Sequence, residues 1–533
     1  MPVRDFSRDR VWLFPPSLDE LIRLEHPVRF IAAFIDGLPR SRWFSMGIDL
    51  DGAVRGRASY SARALLGVLV YGFMTRVTSM RDMEQACNEN LCFMWIAGQE
   101  RPDHNTIWRF YSSHREGLQE LLRETVQTAV REGQVALAVQ ALDGTKIRGS
   151  ASRRRSRTWL GLSELLAKTD EQIARMEAEN LAEHPEMAVA PPKVQKRLKR
   201  KRQRIVAAMT RLGPPKPVLS SPAAVATEAS GTELAATGTE TGAGKAKGKG
   251  RGKTAKPNRG PRINLTDFDA KIHRGKHGEY YPGYNAQAVV TPLVDGPDGE
   301  EGVLIIAADV NQDANDLQQL TPMLKKSEEV TQVRIPLTLT DSGYHSAANL
   351  AEVEARGQSV YMPDPKAEQL NEPYGKAQFV YDSATDSYRC PTGKTLRRQT
   401  HEIDRPEGKP NAIRYRASKP DCDACPVSAL CREGDGNGRS VTVTVDEPRL
   451  VEHRRLMKDE TVQAVFAKRK EWSEPTFGTL KTVLGADRFH LRGLQNVKAE
   501  WHLLATAFNL RTLAARWAKS LRTERRLAWL AAA

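Results

Sequence analysis

The sequence predicts a mixed α/β domain, its sheet flanked by helices, with an all-α domain before it and a small cysteine-containing insertion within it. Three observations carry that expectation. Apolar residues recur at helical spacing from residue 17 to about 125. Short β-branched runs alternate with helical stretches between 135 and 363. A CxxC segment then interrupts the alternation before helical periodicity resumes at 447.

The helical part opens at Ser17-Leu18-Asp19-Glu20, a capping box that follows Pro15-Pro16. Val28, Ile31, Ile35 and Leu38 then recur at helical spacing, and Leu65, Leu66, Leu69, Val70 and Phe73 repeat the pattern. Ser79 can cap a further helix that runs through Cys87. The stretch PDHNTIWRF (102–110) starts another, with Asp103 or Asn105 as its cap. Successive short helices with a polar and aromatic start to the last one suit a helix-turn-helix-like reader of DNA; ordinary helical packing gives the same spacing.

Beyond these helices, VALAVQAL (135–142) reads as a strand that ends on Asp143. YYPGYNAQAVVTP (280–292) and GVLIIAADV (302–310) are two more strands, a helix around 315–328 follows, and PLTLT (336–340) is a strand that stops on Asp341. A helix at 346–356 leads to SVYMP (359–363). Residues 162–212 read as a long charged helix or helical pair. Residues 213–262 are poor in large apolar side chains and rich in Gly, Ala, Thr, Ser and Lys, so burial cannot offset chain entropy and disorder is expected. The organisation is then a helical, helix-turn-helix-like domain (1–130), the first part of the α/β domain (131–160), a charged helical insertion (161–212), a basic linker (213–262), the second part of the α/β domain (263–363), the cysteine-containing insertion (364–445) and C-terminal helices of the α/β domain (446–533).

Eighty Lys and Arg against 65 Asp and Glu leave a net charge of +15, concentrated in Arg153-Arg154-Arg155 with Arg157, in KVQKRLKRKRQR (193–204) and in KAKGKGRGK (245–253). That clustering favours a polyanionic partner, nucleic acid before membrane, with plain solubilisation as the simpler alternative for part of it. No apolar run reaches the roughly 18 residues of a membrane span, and MPVRDFSRDRVWLF lacks the apolar core of a secretory signal. A cytoplasmic, nucleoid-associated protein is expected. Cys87 and Cys92 lie in an apolar helical neighbourhood and read as core thiols. Cys390, Cys422, Cys425 and Cys431 form a set that could hold a structural, tetrahedral Zn2+, although the 31-residue gap after Cys390 is long for a zinc ribbon; free or redox-active thiols are the alternative.

Two strand-terminal aspartates in a basic chain suggest a divalent-metal site acting on phosphodiesters. Hard Mg2+ or Mn2+ prefers carboxylate oxygens, and two ions about 3.5–4 Å apart can activate an attacking oxygen and stabilise the leaving one. A third carboxylate is wanted, and FAKRKEWSEPTFGTLK (466–481) offers Glu471 and Glu474. On a helix Glu474 shares a face with Lys481, seven residues on, which could hold a DNA phosphate near the acid. Asp309 ends another strand and is a rival, as are Asp267 and Asp269, which border the linker and read as turn residues. The plainer reading of Glu474 is a surface glutamate that caps a helix.

These stretches resemble, in order, those of the bacterial insertion-sequence transposases of the DDE class, in the branch with an InsH-type helical N-terminal domain and a catalytic domain of RNase H-like fold. The points of contact are PPSLDELIRLEHPVRFI (15–31), PDHNTIWRF (102–110), LDGTKIRGSAS (142–152), YYPGYNAQ (280–287), TDSGYHS (340–346), EPTFGTLK (474–481) and LRGLQNVKAEWHLLATAFNL (491–510), which span nearly the whole chain outside 213–262. The resemblance implies that Asp143, Asp341 and Glu474 are the catalytic residues and the ligands of Mg2+ or Mn2+. It implies a DNA transposase that binds the terminal inverted repeats of an insertion sequence and carries out metal-dependent cleavage and strand transfer on element ends and target DNA, as a homodimer or larger synaptic assembly. Lys481, Lys146 and Arg148 are then expected to hold phosphates, and residues 103–109, with His104, Asn105 and Arg109, to read the ends.

The match departs from the family pattern upstream of the glutamate. Phe466 stands where tyrosine is common, and Arg469 lies one residue further from Glu474 than usual, which makes Lys470 its alternative. Pro475 would break a hydrogen bond in a continuous helix, so Glu474 is expected at a helix start or kink. Two other functions fit the same residues in part. One is a non-enzymatic DNA-binding protein derived from a transposase, against which the presence of all three acids argues. The other is a metal-dependent nuclease without strand transfer.

Overall fold

The computed structural model describes residues 16–51, 59–183, 193–214, 260–275, 277–295, 302–365, 372–382, 384–399, 412–432, 436–444 and 447–532. The run KAKGKGRGK and most of segment 213–262 lie outside the described residues. The chain divides into two compact units, one made of Met1–Ser150 with Gly283–Ala533 and the other of Ala151–Pro282.

In the first unit the chain begins with helices α1 (Leu18–Leu21), α2 (Pro27–Asp36), α3 (Arg40–Ser45), α4 (Ala62–Met74), α5 (Met80–Glu89), α6 (Leu91–Ile96), α7 (His104–His114) and α8 (Glu120–Arg131). Local signals set their starts. The Ser17 hydroxyl accepts the Glu20 amide at 3.3 Å, and of the two expected caps for α7 it is Asp103 that accepts the Thr106 amide, at 2.8 Å. The apolar face of α2 is buried through Val28, Ile31 and Ile35, while α4 is buried on every side from Leu65 to Met74, as suits the central helix of a bundle.

The second unit holds β2 (Ser156–Thr158), the helices α9 (Trp159–Glu183) and α10 (Lys193–Leu212), β3 (Arg262–Asn264) and β4 (Lys271–Arg274). The charged stretch is thus a pair of packed helices. Leu162, Ile205, Ala208 and Ile263 make their shared core. Ion pairs Lys199–Glu177 (2.9 Å) and Arg202–Asp170 (2.7 Å) join the two helices, and Lys196, Arg197, Arg200 and Lys201 are left exposed.

The main sheet of the first unit is built from β1 (Val139–Arg148), β5 (Tyr280–Pro292), β6 (Val303–Asn311), β7 (Leu337–Thr340) and β8 (Ser359–Tyr361) in the spatial order β6-β5-β1-β7-β8. β5 is antiparallel to β1 and β6, whereas β1, β7 and β8 are parallel, so the sheet is mixed. Helices α11 (Leu320–Thr331) and α12 (Ala347–Ala355) supply the crossovers between its later strands. One face packs as a core of Leu142, Val289, Ile306, Met323, Tyr344, Leu350 and Val353. β6 is apolar from Leu304 to Ala308 without alternation, because both of its faces are covered.

After the sheet come the short antiparallel strands β9 (Val380–Asp382), β10 (Ser387–Arg389), β11 (Thr395–Arg398) and β12 (Ala412–Arg416), the turns α13 (Lys419–Asp423) and α14 (Ser428–Cys431), and β13 (Ser440–Thr444), which form a five-stranded sheet in the order β13-β12-β11-β10-β9. Phe379, Leu396, Tyr415, Val441 and Val443 fill its core. The chain closes with α15 (Glu447–Leu456), α16 (Glu460–Thr482) and α17 (Leu494–Ala532). Among the described residues no helix is long and apolar enough to cross a membrane.

Two expectations need correction. Asp143 does not end its strand, since β1 runs on to Arg148; what ends there is the parallel ladder with β7, while the antiparallel ladder with β5 continues through Asp143↔Ala288 to Arg148↔Gly283. Pro475 lies inside α16 and neither starts nor breaks it. Its missing N–H frees a carbonyl one turn earlier, at Glu471, on a side of the helix where Glu471, Glu474 and Pro475 are exposed and water can take that bond.

The border strand β6 is closed by a side chain. Asn509 of α17 is fully buried; its Oδ1 accepts the Ile305 amide and its Nδ2 donates to the Ile305 carbonyl, both at 2.8 Å, while Nδ2 also donates to Thr125 Oγ1 at 3.1 Å. It imitates a neighbouring strand. Asn509→Ala leaves two buried backbone groups of Ile305 without partners, at ~1–3 kcal/mol each, so urea unfolding is expected to show a loss of roughly 3 kcal/mol with an unchanged m-value.

Candidate active site

The parallel pairing of β1 with β7 builds the site. The last paired residues are Leu142 and Thr340, and the next residue on each strand is an aspartate, Asp143 and Asp341. Neighbouring strands lie ~4.8 Å apart and residues in register point to the same face, so the two carboxylates are neighbours. Asp143 Oδ1 accepts the Gly144 amide at 2.8 Å, and Asp341 Oδ1 accepts the Gly343 amide at 2.9 Å. Burial, reinforced by the charge of Asp341, pushes the Asp143 pKa up to about 6 against the pull of Arg469. Burial also raises that of Asp341, with the charge of Asp316 adding to it and the Gly343 amide, Arg469 and Lys146 opposing. Two half-buried acids that repel each other invite a cation.

Helix α16 supplies cations. Arg469 Nη1 donates to Asp143 Oδ2 at 3.1 Å, and Lys481 Nζ donates to Thr145 Oγ1 at 2.5 Å. Ser473, Thr476, Phe477 and Leu480 are the buried side of the helix between them. Glu474 lies between those two contacts along the helix and shares a face with Lys481; its side chain is exposed and, among the described residues, takes no hydrogen bond or ion pair. Its rival Glu471 is exposed and paired with Lys468 at 2.8 Å. Arg469, rather than Lys470, is the basic residue that reaches the aspartates, and its guanidinium also lies 5.9 Å from the Phe466 ring.

One acid escaped the sequence reading. Asp316, in the loop between β6 and α11, accepts on a single oxygen, Oδ1, from Lys146 Nζ (3.0 Å), Asn285 Nδ2 (2.7 Å) and Gln287 Nε2 (2.7 Å). Gln287 Oε1 in turn accepts the hydroxyl of the fully buried Tyr344, and the backbone carbonyl of Gln287 accepts Trp501 Nε1 at 2.9 Å. Asn285 and Gln287 are completely buried polar residues, two apart in an apolar strand, and that alternation was the available signal.

Other candidates are placed elsewhere. Asp309 is held between Lys326 (2.5 Å) and Lys498 (3.0 Å), a structural pairing that keeps its carboxyl below the usual range despite burial. Asp267 and Asp269 belong to the other unit, where Asp267 Oδ1 accepts the Asp269 amide and Asp269 pairs with Arg211. At the start of α7, His104 Nδ1 is bound to Glu84 at 2.7 Å, whereas Asn105 and Arg109 are exposed. Arg148 is exposed at the end of β1, where its carbonyl accepts the Phe489 amide at 2.8 Å.

Cys390, Cys422, Cys425 and Cys431 line one small cavity beside β10 to β13. The Lys394 amide donates to Cys390 Sγ at 3.2 Å and the Arg439 amide to Cys422 Sγ at 3.3 Å. Among the described residues no group of three or more His, Cys, Asp or Glu side chains stands arranged to hold a metal ion, which applies to these thiols and to the aspartates alike. The donor chemistry nonetheless fits: hard, half-buried, mutually repelling carboxylates at one place and soft thiols at the other.

Comparison with known protein families gives two matches. Residues 389–514 match the family model described as a transposase DDE domain, a segment that includes Arg469, Glu474, Lys481 and the cysteines, and residues 16–113 match a transposase domain (DUF772) that includes α7 up to Ser113. Both matches are to transposase domains, and together they support an insertion-sequence DDE transposase. No curated protein and no solved structure matches it.

The raised pKa of Asp143 has a measurable consequence. A carboxyl whose folded pKa lies above its unfolded value contributes fully below about pH 4, and the contribution is lost as pH rises through about 6. Asp143→Asn is therefore expected to unfold like the wild type near pH 4 and to be more stable by roughly 1–3 kcal/mol at pH 8, in denaturant titrations without divalent ions.

Proposed function

We propose that the chain is a DNA transposase that binds the terminal inverted repeats of its insertion sequence and catalyses metal-dependent cleavage and strand transfer. The observation that carries the reading is the side-by-side placement of Asp143 and Asp341 by the β1–β7 register, with α16 laid across them. The mixed sheet order and its parallel half support an RNase H-like reading of the domain.

Asp143, Asp341 and Glu474 would hold Mg2+ or Mn2+. Bound there, the ions would activate water and then a 3′-hydroxyl for in-line attack and stabilise the leaving oxygen. The chain's own part is to aim the carboxylates from rigid strands, to bring Glu474 on a helix anchored at Arg469 and Lys481, and to hold phosphates with Lys481, Arg148 and Lys146 once the last is released from Asp316. The InsH-type reading gives end recognition to the N-terminal helices, with Asn105 and Arg109 available on the surface of α7. The exposed cations of α10 suit non-specific phosphate contacts. A homodimer or larger synaptic assembly, acting in the cytoplasm on the nucleoid, belongs to the same reading.

The test is a plasmid carrying the DNA that flanks the gene, incubated with the protein and Mg2+ or Mn2+ beside Asp341→Ala and Glu474→Ala. Wild-type cleavage at the element boundary followed by joining, with each variant at least a thousandfold slower yet still binding, is expected. Cleavage without joining would favour the nuclease, and binding without cleavage the non-enzymatic DNA-binding protein. The thiol cavity is assigned a structural Zn2+ under the same proposal: protein purified without chelator is expected to carry about one zinc per chain and Cys425→Ser to lose it, whereas zinc-free wild type with four titratable thiols would remove the assignment.

A further inference from the structure

Asp316 approaches the catalytic aspartates in a way that hydrogen bonding alone does not explain. Along β1, side chains alternate between faces: Asp143 and Thr145 face α16, and Gly144 and Lys146 face the other side, where Asn285 and Gln287 stand opposite them in register. Asp316 rests on that second face. A Cβ on Gly144 would meet Gln287 Nε2 at 2.4 Å and Asp316 Oδ1 at 2.9 Å, so the carboxylate occupies space that only glycine leaves. The second glycine, Gly343, lies where β7 has already ended. A Cβ there would meet Asp341 Oδ1 at 3.0 Å and Asp316 Oδ2 at 3.5 Å. Oxygens of two carboxylates therefore converge on one point, in the notch left where the parallel ladder stops and β1 runs on.

The two oxygens of Asp316 are used differently. Among the described residues its three hydrogen bonds all fall on Oδ1, and Oδ2 is the oxygen turned toward Asp341. The side chains of Asp143 and Asp316 are only 19% and 18% exposed, and among the described residues the cations bonded to them are Arg469 and Lys146, one for each. Asp341 adds a third negative charge to this pair of cations.

We propose that Asp316 is a further acidic residue of the catalytic centre, presenting Oδ2 with Asp341 to the same divalent ion, while its ion pair with Lys146 holds that lysine until the ion arrives. The inference rests on the transposase reading of the site and adds a residue to it. Its three donors fix the orientation of the carboxylate, and Gly144 and Gly343 make the room.

Asp316→Asn keeps an oxygen for the three donors and removes only the charge that faces Asp341. In titrations of the full-length protein with Mn2+ alone, followed by electron paramagnetic resonance, this variant is expected to bind at least tenfold more weakly than the wild type, with its metal-free melting temperature unchanged. Lys146→Met removes the competing cation and is expected to bind Mn2+ several-fold more tightly. A purely structural Asp316 would leave Mn2+ affinity unchanged in Asp316→Asn; that outcome, or unchanged affinity in Lys146→Met should the first variant fail to fold, overturns the proposal. A wild-type protein that binds no Mn2+ would overturn the metal-centre reading itself, so the two failures are distinguishable.

Discussion

The structure of the site depends on one constraint, the register of two parallel strands. Pairing Leu142 with Thr340 obliges the residues that follow, Asp143 and Asp341, to stand together. A slip of one residue would turn one carboxylate to the opposite face and dissolve the pair. That register is held by a buried layer beneath it, where Gln140 Nε2 donates to Thr338 Oγ1 at 3.0 Å and Gln140 Oε1 accepts the Ser327 hydroxyl at 2.6 Å, and by the apolar core around Leu142, Ile306 and Tyr344. The stability of the core is thus converted into the position of two charges.

Placing like charges there is unfavourable, and the surrounding chain offsets the cost with cations and donors. Arg469 reaches Asp143 from one face of the sheet and Lys146 reaches Asp316 from the other. Behind them, Tyr344, Gln287 and Asn285 form a buried chain of hydrogen bonds whose members are each fully enclosed. Such a network is rigid because every alternative arrangement leaves a buried polar group without a partner. Helix α16 anchors on the same strand at two points, which brings Glu474 to the neighbourhood on a rigid element while leaving its carboxylate exposed.

The two aspartates stood out in the sequence because each directly follows a short apolar run, where a charge is conspicuous, although Asp143 lies within its strand and Asp341 just past the end of its own. The helical start of the chain was legible for a similar reason: the periodic apolar residues of α2 and α4 are the buried ones, and Asp103 caps α7. Asp316 was not legible. It sits in NQDANDLQQL, a loop in which acids and amides are ordinary, and its role arises only when two glycines from separate strands leave space for it. The continuation of β1 past Asp143 was hidden because its partner there is β5, more than a hundred residues later in the chain. The uninterrupted helix through Pro475 was hidden because a proline's cost depends on whether the carbonyl it frees meets water, which is a tertiary matter.

The central claim is that segments far apart in sequence surround one divalent ion. Replacing that ion with Fe2+ and generating hydroxyl radicals with ascorbate and peroxide cuts the backbone beside bound metal, and mass spectrometry reads the cut positions. Cuts clustered near residues 143, 316, 341 and 474, all suppressed by excess Mg2+, are the result the account predicts. Cuts confined to other segments, such as those around Asp267 and Asp309, or the absence of any cut that Mg2+ suppresses, would contradict it.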